Sequence, residues 1–106
     1  MLFHIVESID WATAKACGTY APASLQTEGF IHLSEAQQVV GTVERFYQGR
    51  RDLLLLEIDP NCLQASLRYD QVADHGIFPH LYGALNLEAV VKVWMLDTFL
   101  NREIHC

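Results

Sequence analysis

The chain has 106 residues, 51% of them hydrophobic, and its 13 acidic against 7 basic side chains give a net charge of −6. This is one domain, residues 1–106, with enough apolar material for a core and too much for a disordered chain. Phosphate backbones are read by clustered Lys and Arg, and the adjacent basic pair Arg50-Arg51 is expected at a helix end, so nucleic acid is not expected as a partner.

Leu2 to Val6 is short, apolar and β-branched, and reads as an opening strand. Ser8 or Asp10 then caps a helix over Trp11 to Cys17, with Gly18 as its stop. Ser24 starts a helical turn ending near Gly29, and Phe30 to Leu33 reads as a second strand. The clearest helix is predicted from Glu35 to about Gln48. Ser34 stands as its N-cap, Gln37 completes a capping box, and Val39, Val40, Val43, Phe46 and Tyr47 recur at helical spacing.

Leu53 to Ile58 is expected as a buried central strand, stopped by Asp59-Pro60-Asn61. Leu67 to Asp70 reads as a short edge strand. Gln71 to Asn86, with two glycines and a proline, reads as a long loop. Val90 to Leu96 is the last strand, and Thr98 to Ile104 fits either strand or tail. Strands and short helices without βαβ alternation predict an α+β fold with a mixed, mainly antiparallel sheet.

The longest aliphatic run, Leu53 to Leu56, is too short to span a bilayer, and the N-terminus lacks a basic, cleavable leader pattern. Cys17, Cys62 and Cys106 form no CxxC pair. A soluble, cytoplasmic protein without membrane partners is the expectation.

Chemistry is expected where histidine stands in unusual company. Imidazole is costly in an apolar setting unless hydrogen-bonded, and it titrates near neutral pH. His4 and His32 sit inside strand-like strings, and His80 belongs to Phe78-Pro79-His80-Leu81-Tyr82-Gly83, where glycine permits close backbone approach. His32, where it points into the core, reads more as a satisfied structural residue than as a catalyst, and His4 reads equally as a strand polar residue or a ligand donor. Glu28 and Asp70 are the nearest acids, able to orient a histidine or act as a base. Ser34 is expected to give its hydroxyl to the helix cap. His75 and His105 read as surface residues, and Trp11 and Tyr20 as core. No Ser sits on a nucleophile elbow. A three-imidazole metal site would need ligands from three separate segments, and no metal is expected.

These strings resemble the bacterial family of unknown function DUF952. The likeness runs over nearly the whole chain, through His4, Trp11, Gly18, Tyr20, Ser24, Glu28-Gly29-Phe30-Ile31-His32, Ser34, Asp52-Leu53, Ile58-Asp59 and the Phe78 to Gly83 string. The family is distantly similar to the ADP-ribosyltransferase-like superfamily, whose members bind NAD in a cleft of a split mixed sheet. The resemblance implies that fold, NAD or a related nucleotide-like small molecule as ligand, and cleavage or transfer at the nicotinamide ribose.

In the RNA 2′-phosphotransferases of that superfamily, a His-Gly-Thr string aligns with Phe3-His4-Ile5-Val6 and a His-Leu-Ser string with His32-Leu33-Ser34. On that analogy His4 and Ser34 contact the ligand, and His80 and Tyr82 close the cleft. His32 acts in catalysis, with Glu28 or Asp70 as the carboxylate. Their arginines fall at Glu28 and Tyr47 here, which removes the bidentate readers of an RNA 2′-phosphate. The resemblance leaves two readings open: an enzyme acting on NAD or an ADP-ribosyl ligand, and a non-catalytic module binding a nucleotide-like or aromatic metabolite.

Overall fold

The computed structural model describes residues 1–50 and 52–104. β1 (Leu2–Val6) leads to α1 (Ser8–Cys17), β2 (Thr19–Tyr20), α2 (Ser24–Thr27), β3 (Ile31–His32) and β4 (Ser34–Glu35). A 3₁₀ turn over Ala36–Gln38 enters α3 (Val39–Phe46). Then follow β5 (Leu54–Ile58), β6 (Ser66–Val72), β7 (Gly76–Tyr82), β8 (Leu85–Asn86), β9 (Val90–Met95) and α4 (Leu96–Ile104).

The strands form a four-stranded sheet in the order β4-β1-β5-β9, a three-stranded sheet β3-β7-β6, and the small pair β2-β8. Every pairing among the described residues is antiparallel. The fold is therefore α+β, with mainly antiparallel sheets and short helices.

β1 and β5 are apolar on both faces because both faces are covered. Leu2, Val6, Leu56 and Ile58 join Trp11, Ile31, Leu33 and Leu81 in one core cluster. Phe3, Ile5, Leu53 and Leu55 meet Val39 and Val43 of α3 and Leu96, Phe99 and Leu100 near the C-terminal end in a second. The four-stranded sheet thus separates two helices from the three-stranded sheet. α1 ends as expected at Gly18, whose φ of 86° gives the left-handed cap a side chain would resist. Its start lies earlier than predicted, at Ser8, with Glu7 in the capping position.

The largest departure from the sequence reading is residues 71–86. Proline and two glycines argue for a loop, yet β7 is the central strand of its sheet. Pro79 is tolerated because of register. Its carbonyl accepts from the Leu33 N–H at 3.0 Å, so its nitrogen faces β3, and its partner Tyr69 on β6 needs no donor from it. With no N–H to return to Leu33, the β3 ladder ends there and the chain crosses to β4 in the other sheet.

That crossing also shifts the helix start. Ser34 pairs with Phe3 and stays extended, so Glu35 rather than Ser34 caps the turn. Gln38 rather than Gln37 completes the box, its Oε1 accepting from the Glu35 N–H at 2.9 Å. The C-terminal segment is helical, not strand or tail. Arg50 turns its guanidinium to Asp52, at 3.1 Å, and Glu7, at 3.6 Å, rather than to a helix end. Arg51, His105 and Cys106, each given a role above, lie outside the described residues, and so do the side chains of residues 103 and 104. Among the described residues no helix is long and apolar enough to cross a membrane.

Candidate functional site

A cleft of about 710 Å³ opens where the β3-to-β4 crossing meets α2, α3 and β7. Its volume lies in the range of small-molecule sites. All three histidines singled out above line it, together with Glu28 and Ser34.

Strand alternation places the functional side chains. On the three-stranded sheet, Ile31, Leu33 and Leu81 point into the core. The residues between them point the other way, which puts His32, His80 and Tyr82 on one face. Arg68 and Asp70 join them from β6, opposite His80 and Phe78. His32 and His80 are direct cross-strand partners. The neighbouring Leu33–Pro79 pair carries the ladder hydrogen bond, so His32–His80 is the close, non-hydrogen-bonded kind. Their rings meet edge to face at 5.4 Å between centroids.

Each of these imidazoles holds a carboxylate. His32 donates through Nε2 to Glu28 Oε2 at 2.9 Å, near the exposed rim. His80 is buried, 4% exposed, and donates through Nδ1 to Asp70 Oδ2 at 2.8 Å. The Tyr82 hydroxyl donates to the same oxygen at 2.5 Å. Two donors on one carboxylate favour its charged form: Tyr82 first, then His80, hold the Asp70 carboxyl below its usual range. The Asp70 anion in turn pushes the Tyr82 phenol up. Because an ionised carboxylate only accepts, the His80 proton on this side is fixed at Nδ1. The other nitrogen, Nε2, is buried and has no hydrogen-bond partner.

His4 is arranged differently. β3 is an edge strand, and the His32 carbonyl takes the His4 Nδ1–H at 2.6 Å. A carbonyl cannot donate, so His4 carries its proton on Nδ1. Burial lowers its pKa to about 4, leaving the ring neutral and Nε2 an acceptor. The Tyr20 hydroxyl fills that position at 2.8 Å. Burial also raises the Tyr20 pKa, so the phenol keeps its proton to donate.

The family model for proteins of unknown function, DUF952, matches residues 5–93. The chain belongs to this family. Two solved structures of the Caulobacter crescentus protein CC0527 are similar to it. The crystal structure is 30% identical with a TM-score of 0.78, and the alignment covers 87% of this chain and 82% of that one. The solution NMR structure is 29% identical with a TM-score of 0.76, covering 89% and 82%. No curated protein shows a significant match.

In this DUF952 chain the named site residues sort by distance. Glu28, His32, His80, Asp70 and Tyr82 form one connected cluster. His4 reaches it through a backbone carbonyl, so a ligand would bond its ring only by displacing Tyr20. Ser34 is buried at the cleft, its Oγ 3.5 Å from Thr42 Oγ1 rather than on a cap. His75 is exposed but also lines the cleft. Gly83 does allow a close approach: a Cβ there would lie 2.7 Å from that of Ala65.

Sequence reasoning missed Phe30, which stacks on His80 with centroids 4.0 Å apart and meets His32 edge-on at 4.9 Å. Alternation with His32 was its signal. It also missed Arg68, two residues before Asp70, whose guanidinium lies 4.7 Å over the Tyr82 ring. Tyr20 is core, as expected, and in addition bonds His4.

Proposed function

We propose that the cleft binds NAD or a related ADP-ribosyl ligand, and that the protein cleaves or transfers at the nicotinamide ribose. The observation that carries this reading is the Glu28–His32 pair at the rim of a cleft that the buried His80, held by the half-buried Asp70, also lines. Breaking a nicotinamide–ribose bond builds positive charge on the sugar. A carboxylate held in place by an imidazole donor stabilises that charge without having to reorganise. Tyr20, Tyr47 and Phe78 give the cleft aromatic faces for stacking, and Arg45, which also lines it, is a cation for a pyrophosphate. The resemblance to the ADP-ribosyltransferase-like superfamily supports the same ligand class and that finer description of the split sheets.

Isothermal titration with NAD, ADP-ribose and nicotinamide, followed by an assay of nicotinamide release, tests the reading. Glu28→Gln is expected to slow release about a hundredfold while leaving the Kd for NAD within about threefold.

A second reading is favoured by the closed wiring of His4. Both of its nitrogens are taken, and Ile5 and Val6 follow it, so no donor is free there for a ribose hydroxyl. On this reading the cleft is a non-catalytic module for a nucleotide-like or aromatic metabolite. Affinity without turnover, with Glu28→Gln and His32→Ala changing affinity alone, would establish it.

A further inference from the structure

A strand at the edge of a sheet presents unpaired N–H and C=O groups, and proteins blunt such edges with short strands, bulges, proline or lysine. The edges β3, β4 and β9 of the two larger sheets are blunted in this way. β3 and β4 are two residues each, and β9 carries Lys92 and a register shift at Glu57 and Ile58. β6 is not blunted. It runs seven residues, Ser66–Val72, without proline or glycine, and pairs with β7 in unbroken register on one side only. Its outward groups follow from the ladder beside it. Pro79 turns its carbonyl to β3, so Phe78 and His80 turn their backbone groups to Asp70 and Arg68. Leu67, Tyr69 and Gln71 therefore offer their N–H and C=O groups to the open side, and Tyr69 at the middle of this row is exposed.

The side chains of this edge are incomplete as well. Asp70 takes the hydrogen bonds of His80 and Tyr82 on Oδ2, and its Oδ1 has none among the described residues. Arg68 rests on the Tyr82 ring and has no ion pair among them. Both point to the face that carries His80, two residues apart and of opposite sign. We infer that β6 is a dimer interface, to which a second copy of this chain adds its own β6 antiparallel about Tyr69. Tyr69 then faces the partner's Tyr69, and Leu67 the partner's Gln71, as hydrogen-bonded pairs, with about six ladder bonds in all. Arg68 faces the partner's Asp70, and Asp70 the partner's Arg68, in the closer, non-hydrogen-bonded positions where opposite charges attract and like charges repel. Moving the axis by one residue sets Arg68 against its own copy, or Asp70 against its own, so the charges select this register. The pairing doubles the three-stranded sheet with both His80 faces on the same side. Each Asp70, the carboxylate that fixes His80, gains a charged donor from the other subunit. No ligand enters this inference, which stands or falls apart from the NAD reading.

Analytical ultracentrifugation of the full chain from micromolar to millimolar concentration tests it, with circular dichroism for folding. The parental chain is expected to sediment as a dimer. Tyr69→Pro removes an outward N–H that a solvent-facing edge does not need, and should weaken association at least about tenfold while the monomer stays folded. Arg68→Glu and Asp70→Arg should each be monomeric alone, because each sets like charges opposite one another. Mixed in equal amounts they should associate again, because every facing pair is then opposite in sign. Should Asp70→Arg not fold, Tyr69→Pro and Arg68→Glu decide the matter. A parental chain that stays monomeric at millimolar concentration overturns the proposal. So does a dimer undisturbed by both Tyr69→Pro and Arg68→Glu, which another surface must hold.

Discussion

Two of the imidazoles that line this cleft, His4 and His80, are wired in opposite ways. His4 is complete: Nδ1 donates to the His32 carbonyl and Nε2 accepts from Tyr20. His80 is incomplete: Nδ1 donates to Asp70 while Nε2 is buried with no partner. The first arrangement ties down the corner where the chain passes from β3 to β4, which is a job for the fold. The second leaves a hydrogen bond unmet on a buried ring beside the cleft, which stabilises nothing. Burial alone does not separate a structural histidine from a functional one. The state of its second nitrogen does.

The contrast breaks first at His4. His4→Ala takes the partner from the His32 carbonyl and from the phenol of the buried Tyr20, and unfolding in urea should show a loss of about 2–3 kcal/mol. A comparable effect should appear with pH. The folded-state pKa of about 4 lies below the ordinary 6.5, so the unfolded chain binds the proton more tightly. This contribution to stability is fully present above about pH 6.5 and is lost as pH falls toward 4, amounting to about 3 kcal/mol. His4→Gln should flatten the curve in that window. The Asp70 carboxyl, also lowered, acts in a separate window: its contribution is lost only as pH falls below the ordinary carboxylate value.

Smaller effects sharpen the same comparison. Tyr20→Phe removes the donor to His4 Nε2 and should cost about 1–2 kcal/mol. His80→Gln should cost about 1 kcal/mol, less than His4→Ala, because one of its nitrogens has no bond to lose. Glu28→Gln, at the rim, should change stability by under about 0.5 kcal/mol. A His80 variant as destabilised as the His4 variant would erase the distinction.

Local signals carried much of this in the sequence. The β-branched opening of β1, the run of β5 and the glycine stop after α1 each answer to one short-range rule, and the structure follows them. The residues of the cluster were legible too, since histidine and carboxylate in apolar or aromatic strings are rare enough to notice. What could not be read was register. Pro79 looks like a loop residue until its nitrogen is known to face the end of the β3 ladder, away from Tyr69 on β6. Ser34 looks like a cap until its pairing with Phe3 holds it extended. Phe30 looks like an ordinary apolar residue until β3 pairs with β7 and lays it on His80. These are long-range facts, fixed by which strand lies beside which.

The most direct measurement is imidazole nitrogen NMR of the protein alone and with NAD added. In the free protein both His4 and His80 should carry their proton on Nδ1. With NAD present, the His80 Nε2 signal should shift saturably while both His4 nitrogens stay unchanged. A saturable shift at His4 with His80 unmoved would contradict the account, making the complete histidine the functional one.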